Sequence, residues 1–219
     1  MEDEKKRKMN VEPLFDSPFI RVADLQYAPG KHYYNASRRT FEDMVAVKTD
    51  QEFKTMLPDA VSCIVILNMP GEEPRMLLSY EYRYPAGHFL LSLPAGLIDA
   101  EDKEHKDPLV TTAVREIKEE TGLCVEAADR VTVVNPLLFS TPGMTDESNA
   151  FVCAVLHPKD LSGLSQEGAV GSELFDGFRL VTRVEALKIL REGRDDAGNY
   201  YPLITWAGLM YFVSDMWKE

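Results

Sequence analysis

Cross-linking, membrane insertion and nucleic-acid binding all find little support in this sequence. Only three cysteines occur in 219 residues. Cys63, Cys124 and Cys153 are far apart in apolar surroundings and show no Cys-x-x-Cys or Cys/His spacing, so neither a disulfide framework nor a zinc site is indicated. An odd number of scattered, buried thiols fits a reducing compartment, and the expected location is cytoplasmic. The longest apolar run, Ala60 to Leu67, has eight residues, well short of the ~20 that a membrane helix needs. The charged N-terminus has no apolar stretch behind it, so neither a signal peptide nor an anchor is expected there. Basic residues are in deficit, 24 Lys and Arg against 36 Asp and Glu, for a net charge of -12. Such a chain lacks the basic footprint of a nucleic-acid binder. The same acidic excess suits a site that gathers metal cations. Four histidines, His32, His88, His105 and His157, show no ligand spacing and take no role.

What is present reads as an ordinary globule, 45% apolar and 27% charged. Residues 1–17 read as a flexible, solvated tail. Residues 18–58 contain Phe19, Ile20, Val22, Leu25, Tyr33, Tyr34 and Phe41 around the turn Pro29-Gly30, which suggests a small N-terminal β region. A main domain occupies 59–219. Within it the β-branched run Ala60–Leu67, the turn-rich Asn68–Pro74 and the segment Arg75–Tyr82 predict a hairpin of buried strands. Phe89–Leu93, Val131–Phe139, Ala150–Leu156 and Leu174–Val181 predict further strands, and Val184–Arg191 and Leu203–Trp217 predict helices. The clearest helix runs from Pro108 to Thr121, with Asp107 as cap, Val110, Val114 and Ile117 as an apolar stripe, and Gly122 as stop. Strands, helix, strands, helices imply an α+β fold: a mixed β-sheet sandwiched between helices, with a small N-terminal β-sheet.

On that helix Glu116, Glu119 and Glu120 stand at i, i+3 and i+4, so three carboxylates share one side. Like charges this close repel unless a cation sits among them, and hard divalent ions prefer oxygen ligands. The alternative is a solvated acidic face in which Arg115 pairs with Glu119.

Arg115-Glu116-Ile117-Lys118-Glu119-Glu120-Thr121-Gly122-Leu123 resembles the second half of the Nudix hydrolase signature, Gly-x5-Glu-x7-Arg-Glu-U-x-Glu-Glu-x-Gly-U with U aliphatic. Gly96 matches the opening glycine. Asp107, with seven residues between it and Arg115, stands where the family has its first glutamate, which leaves ten residues between Gly96 and Asp107 where the family has five. Leu93-Pro94-Ala95-Gly96-Leu97-Ile98-Asp99, the upstream Tyr82-Arg83-Tyr84-Pro85 and Ser140-Thr141-Pro142-Gly143-Met144-Thr145-Asp146-Glu147 are similar to segments of the ADP-ribose pyrophosphatase branch. Ser92 and Glu81 depart from it, since that branch has Glu and Gln there.

The resemblance implies a Nudix fold and Mg²⁺-dependent hydrolysis, with Mn²⁺ as a substitute ion, of a small nucleoside diphosphate derivative, ADP-ribose to AMP and ribose 5-phosphate first among them. Metal ligands would be Glu116, Glu120 and the carbonyl of Ala95, with Arg115 and Glu119 in the same catalytic set. Glu147, on a loop able to close over the metals, would be the base, and Arg83 a phosphate contact. Tyr33 and Tyr34 would stack on adenine from a partner subunit of a homodimer formed through the N-terminal region. Two alternatives stand: a pyrophosphatase of other nucleotide sugars or dinucleotides, and a non-catalytic sensor of nucleotide metabolites.

Overall fold

The computed structural model describes residues 9–168 and 173–219. It divides into two compact units, one comprising residues up to Asp59 together with Leu137–Asn149, the other Ala60–Pro136 with Ala150–Glu219. Residues 137–149, counted with the main domain from the sequence, therefore belong to the smaller unit.

The smaller unit is built on an antiparallel sheet of β1 (Asn10–Asp16), β2 (Arg21–Ala28) and β3 (Lys31–Ser37) in that order. This corrects the tail drawn to residue 17, because Asn10–Asp16 is a strand registered on β2 with Val11 opposite Leu25. Val11 and Met9 pack against the buried Ala23, Leu25 and Met44, a small core that the chain would leave open without a third strand. Pro13 hides the strand from a sequence reading. It is tolerated here because β1 is an edge and its register slips between Pro13 and Phe15. The basic stretch Lys5 to Lys8 lies outside the described residues. A short helix α1 (Asp50–Thr55) follows, started by a capping box in which Thr49 and Glu52 exchange hydrogen bonds.

The larger unit is centred on β4 (Ala60–Leu67), all eight of whose residues are buried. Antiparallel β5 (Arg75–Arg83) pairs with it, Ile66 opposite Met76. β6 (His88–Ser92) adds to β5, and the short β7 (Ala95–Leu97) adds to β4. After α2 (Pro108–Thr121) come β8 (Arg130–Phe139), β9 (Ser148–Leu156) and β10 (Phe175–Val181), then α3 (Arg183–Glu192) and α4 (Leu203–Val213). The main strand order is β10-β5-β4-β9-β8. Alternation along β4 feeds two cores. Val61, Cys63 and Val65 meet Ala113 and Ile117 of α2, while Ile64 and Ile66 share a cluster with Ala186 and Ile189 of α3 and Leu209 and Phe212 of α4. A strand buried on both faces favours apolar residues along its whole length, which is why Ala60–Leu67 shows no polar alternation and has Ser62 as its one hydroxyl.

The last helix stops at Val213, short of the expected Trp217, because Asp215 takes a left-handed conformation with φ 62°. Cys63 and Cys153 are buried, but Cys124 is exposed, against the expectation for all three. Among the described residues no helix is long and apolar enough to cross a membrane.

Candidate active site

The site begins with how α2 seats itself. Its apolar contact with the core is made by the buried Ala113 and Ile117, with half-buried Leu109 packed beside them, not by the Val110, Val114, Ile117 set expected from hydrophobicity; Val110 and Val114 are only half-buried. Small Ala113 lets the helix approach β4 closely. This setting carries Glu116 and Glu120 into the buried margin, at 5% and 4% exposure, and leaves the Glu119 side chain 36% exposed. Three acids that share one side in projection are thus two interior groups and one outer group.

β7 is the wall they face. Glu120 Oε2 accepts a hydrogen bond from the Ala95 N–H at 3.3 Å. Gly96 lies so close to Glu116 that a Cβ built on it would stand 1.8 Å from Oε1 and 2.0 Å from the carboxyl carbon. Only glycine leaves room for that carboxylate. Burial pushes the Glu116 carboxyl up to about 7, against the pull of Arg115 and with a further push from Glu119 and Glu173. Burial, followed by the charges of Glu81, Glu116 and Glu173, lifts Glu120 to about 9. In both, the dominant cause is removal from water, which disfavours the charged form.

Arg115 arranges the rest. Its Nη1 donates to Glu116 Oε1 at 2.7 Å and to Glu119 Oε2 at 3.0 Å, and its Nη2 donates to the Leu97 carbonyl at 2.9 Å and to Asp102 Oδ2 at 2.8 Å. Asp102 is 5% exposed and also accepts from Thr112 Oγ1 at 2.9 Å. Burial alone would raise its pKa, but the hydrogen bonds from Arg115 and Thr112 and the arginine's charge hold it below the usual range. Asp102, not Asp107, is therefore the acid that locks the arginine. Asp107 caps α2 by position only, with no side-chain hydrogen bond to the helix. The signal was available: five residues separate Gly96 from Asp102, as the Gly-x5-Glu half of the signature requires, and the added length falls after this acid.

Glu81 was not anticipated either. It is 13% exposed in its side chain, paired with Arg83 at 2.7 Å, and held above the usual carboxylate range by burial despite that arginine. Its charge and that of Glu173 both act on Glu120. Arg83 thus stands beside the acid cluster. Among the described residues, no group of three acid, histidine or cysteine side chains forms a ready cage for an ion. What converges is two buried carboxylates and the β7 backbone. That all-oxygen donor set fits a hard divalent cation whose remaining positions fall to water and phosphate oxygens.

Glu147, Tyr33 and Tyr34 belong to the smaller unit. Glu147 Oε1 accepts from Arg38 Nε at 2.9 Å. Its loop is an ordered turn, with the Met144 N–H donating to the Thr141 carbonyl at 2.9 Å. Tyr33 Oη donates to the Gly143 carbonyl at 2.8 Å, and its ring lines a cavity of about 240 Å³ with Leu25, Phe139 and Pro142. Tyr34, the next residue on the strand, points to the opposite face and is 63% exposed. The two rings cannot clasp one base between them.

A helix that offers two interior carboxylates to a glycine-bearing strand, beside an arginine tied to a third acid, has the chemistry of a site for hard cations and oxyanions. The particular family follows from comparison with known proteins. A NUDIX domain model matches residues 56–204, more than half the chain, and the chain belongs to that family. Its curated relatives include an ADP-ribose pyrophosphatase of Saccharomyces cerevisiae, 32% identical over 105 residues that make up 48% of this chain and 40% of that protein. An ADP-ribose pyrophosphatase of Bacillus subtilis is 26% identical over 149 residues, 67% of this chain and 70% of the other. The chain spans less than half the length of the yeast protein and of three further curated relatives. Among solved structures, an ADP compounds hydrolase shares the fold at a TM-score of 0.54 and 17% identity, over 95% of this chain and 94% of that one.

Proposed function

We propose that the chain hydrolyses the pyrophosphate bond of a nucleoside diphosphate derivative, with Mg²⁺ as cofactor and Mn²⁺ as a substitute, and that ADP-ribose is its main substrate, giving AMP and ribose 5-phosphate. The observation that carries this reading is the pair Glu116 and Glu120, buried against Gly96 and Ala95 and raised to about 7 and about 9 chiefly by that burial. The yeast and Bacillus relatives, both ADP-ribose pyrophosphatases, support the choice of ADP-ribose.

In this reading Glu116, Glu120 and the Ala95 carbonyl hold the ion. When bound, such an ion neutralises diphosphate charge and acidifies a coordinated water. Arg115, locked by Asp102, fixes the direction of the Glu116 carboxylate. Glu147 accepts the proton of the attacking water, a role in which general-base assistance contributes about 10²–10⁴-fold. Glu119, outermost of the helix acids, is the second choice for that role. Arg83 meets a phosphate with its planar guanidinium. Tyr34, exposed on its strand, is the better platform for adenine, since the Tyr33 hydroxyl is committed to Gly143. The smaller unit would serve as the dimer contact.

One observation favours a second substrate class. Glu81 adds an acid that acts on Glu120 where the ADP-ribose branch carries an uncharged glutamine, so the acid cluster is more negative than in that branch. Other nucleotide sugars and dinucleotides are therefore the runner-up. A panel of ADP-ribose, UDP-glucose and a dinucleoside polyphosphate with Mg²⁺ tests the choice: ADP-ribose should release AMP fastest, and equal or better cleavage of UDP-glucose would overturn that assignment.

A further inference from the structure

The loop that carries Glu147 is held, residue after residue, by other parts of its own unit. The Gly143 carbonyl accepts from Tyr33 Oη at 2.8 Å, and the Met144 carbonyl accepts from the Ala36 N–H at 3.1 Å. Asp146 Oδ2 accepts from the Val45 N–H at 3.0 Å. Ser148 donates through both its N–H and its hydroxyl to Asp59 Oδ2, each at 2.9 Å, and Asp59 is itself ion-paired with Arg39 at 2.9 Å. The loop also closes on itself, the Ser140 N–H donating to the Glu147 carbonyl at 3.1 Å. Within this frame the Glu147 side chain has one grip, Arg38 Nε on Oε1 at 2.9 Å. Oε2 takes no bond among the described residues, so the carboxylate is aimed by one oxygen and open at the other.

We propose that Arg38 is a positioning residue for Glu147: strand β3 and the segment after it form a frame for residues 143–148, and Arg38 sets the direction of the carboxylate within that frame. This rests on the reading of Glu147 as the base. A carboxylate on a loop samples several rotamers, and water activation requires one of them. A guanidinium Nε–H is directional, and a single bond from it restricts the side chain while sparing the second oxygen. Arg38 is on this account neither a substrate contact nor part of the core. Its side chain is 48% exposed, so its replacement should leave the fold intact.

The test uses the full chain with ADP-ribose and Mg²⁺, carrying Arg38→Ala or Arg38→Lys, each also in a Glu147→Gln background. Arg38→Ala should lower kcat roughly tenfold through misdirection of the base, with KM and the melting temperature near wild type. Arg38→Lys should recover part of the loss, since an ammonium can pair without the same direction. In the Glu147→Gln background Arg38→Ala should cost nothing further, because both changes act on one carboxylate. Hydrogen exchange at residues 143–148 should quicken in Arg38→Ala. If Glu147→Gln is impaired while Arg38→Ala is harmless, or if the two losses add, the Arg38 assignment is overturned and the base survives. If Glu147→Gln turns over like wild type, the base itself is misassigned, and the role of Arg38 in catalysis falls with it.

Discussion

At the scale of single residues the site depends on a missing side chain. Gly96 gives up its Cβ so that the Glu116 carboxylate can lie on the strand. In Gly96→Ala the far end of Glu116 must swing aside. The fold should persist, because the clash is with a flexible terminus, but Mn²⁺ affinity should fall by roughly 10–100-fold, as when other groups that orient a ligand are lost. A calorimetric titration reads this directly, and unchanged affinity would mean that Glu116 does not bind the ion where it stands. Glu116 and Glu120 were legible in the sequence because helical spacing fixes which residues share a side. Their difference from Glu119 was not, since it depends on which stripe α2 buries, and Ala113 is less conspicuous than Val114. Glu81 reaches the cluster through strand pairing, which spacing along the chain does not reveal.

At the scale of elements, the segment between β7 and α2 joins two functions that looked like one. The stretch Ala100 to Lys106 has no large apolar residue and on composition alone would be a surface excursion, yet Asp102 within it is buried and ties Arg115 and Thr112. Residues 103–107 are exposed. Deleting Lys103–Asp107 would leave seven residues between Asp102 and Arg115, the spacing of the family signature. This deletion should leave melting and turnover close to wild type, because loop length contributes little to stability. Asp102→Ala should instead cost about 3 kcal/mol, for it strands buried hydrogen-bond donors. Urea unfolding of both variants separates the two outcomes; an equally harmless Asp102→Ala would show that the lock on Arg115 is dispensable. The element order was readable from composition and turn residues, whereas β1 was concealed by Pro13 at a sheet edge. Likewise, the assignment of 137–149 to the smaller unit rests on pairings between distant parts of the chain.

At the scale of the whole molecule the acid cluster should set how stability responds to pH. Glu116 and Glu120 are raised to about 7 and about 9 in the fold, above their ordinary value of 4.5, so between these limits the folded chain binds more protons than the unfolded one. Their contribution is complete below the ordinary value and is lost as pH rises through the two raised ones. In EDTA the melting temperature should therefore decline from pH 5 to pH 9, and millimolar Mg²⁺ should restore it most at the alkaline end. A flat profile in EDTA would contradict the buried acids. The central claim, that two helix carboxylates hold the ion while Glu147 serves as base, is tested most directly by Mn²⁺ calorimetry of Glu116→Gln, Glu120→Gln and Glu147→Gln beside their turnover of ADP-ribose. The account predicts that both helix variants lose metal affinity and turnover together, and that Glu147→Gln keeps its affinity while turnover drops by about 10²–10⁴-fold. Loss of metal binding in Glu147→Gln comparable to the helix variants, or full turnover in all three, would contradict it.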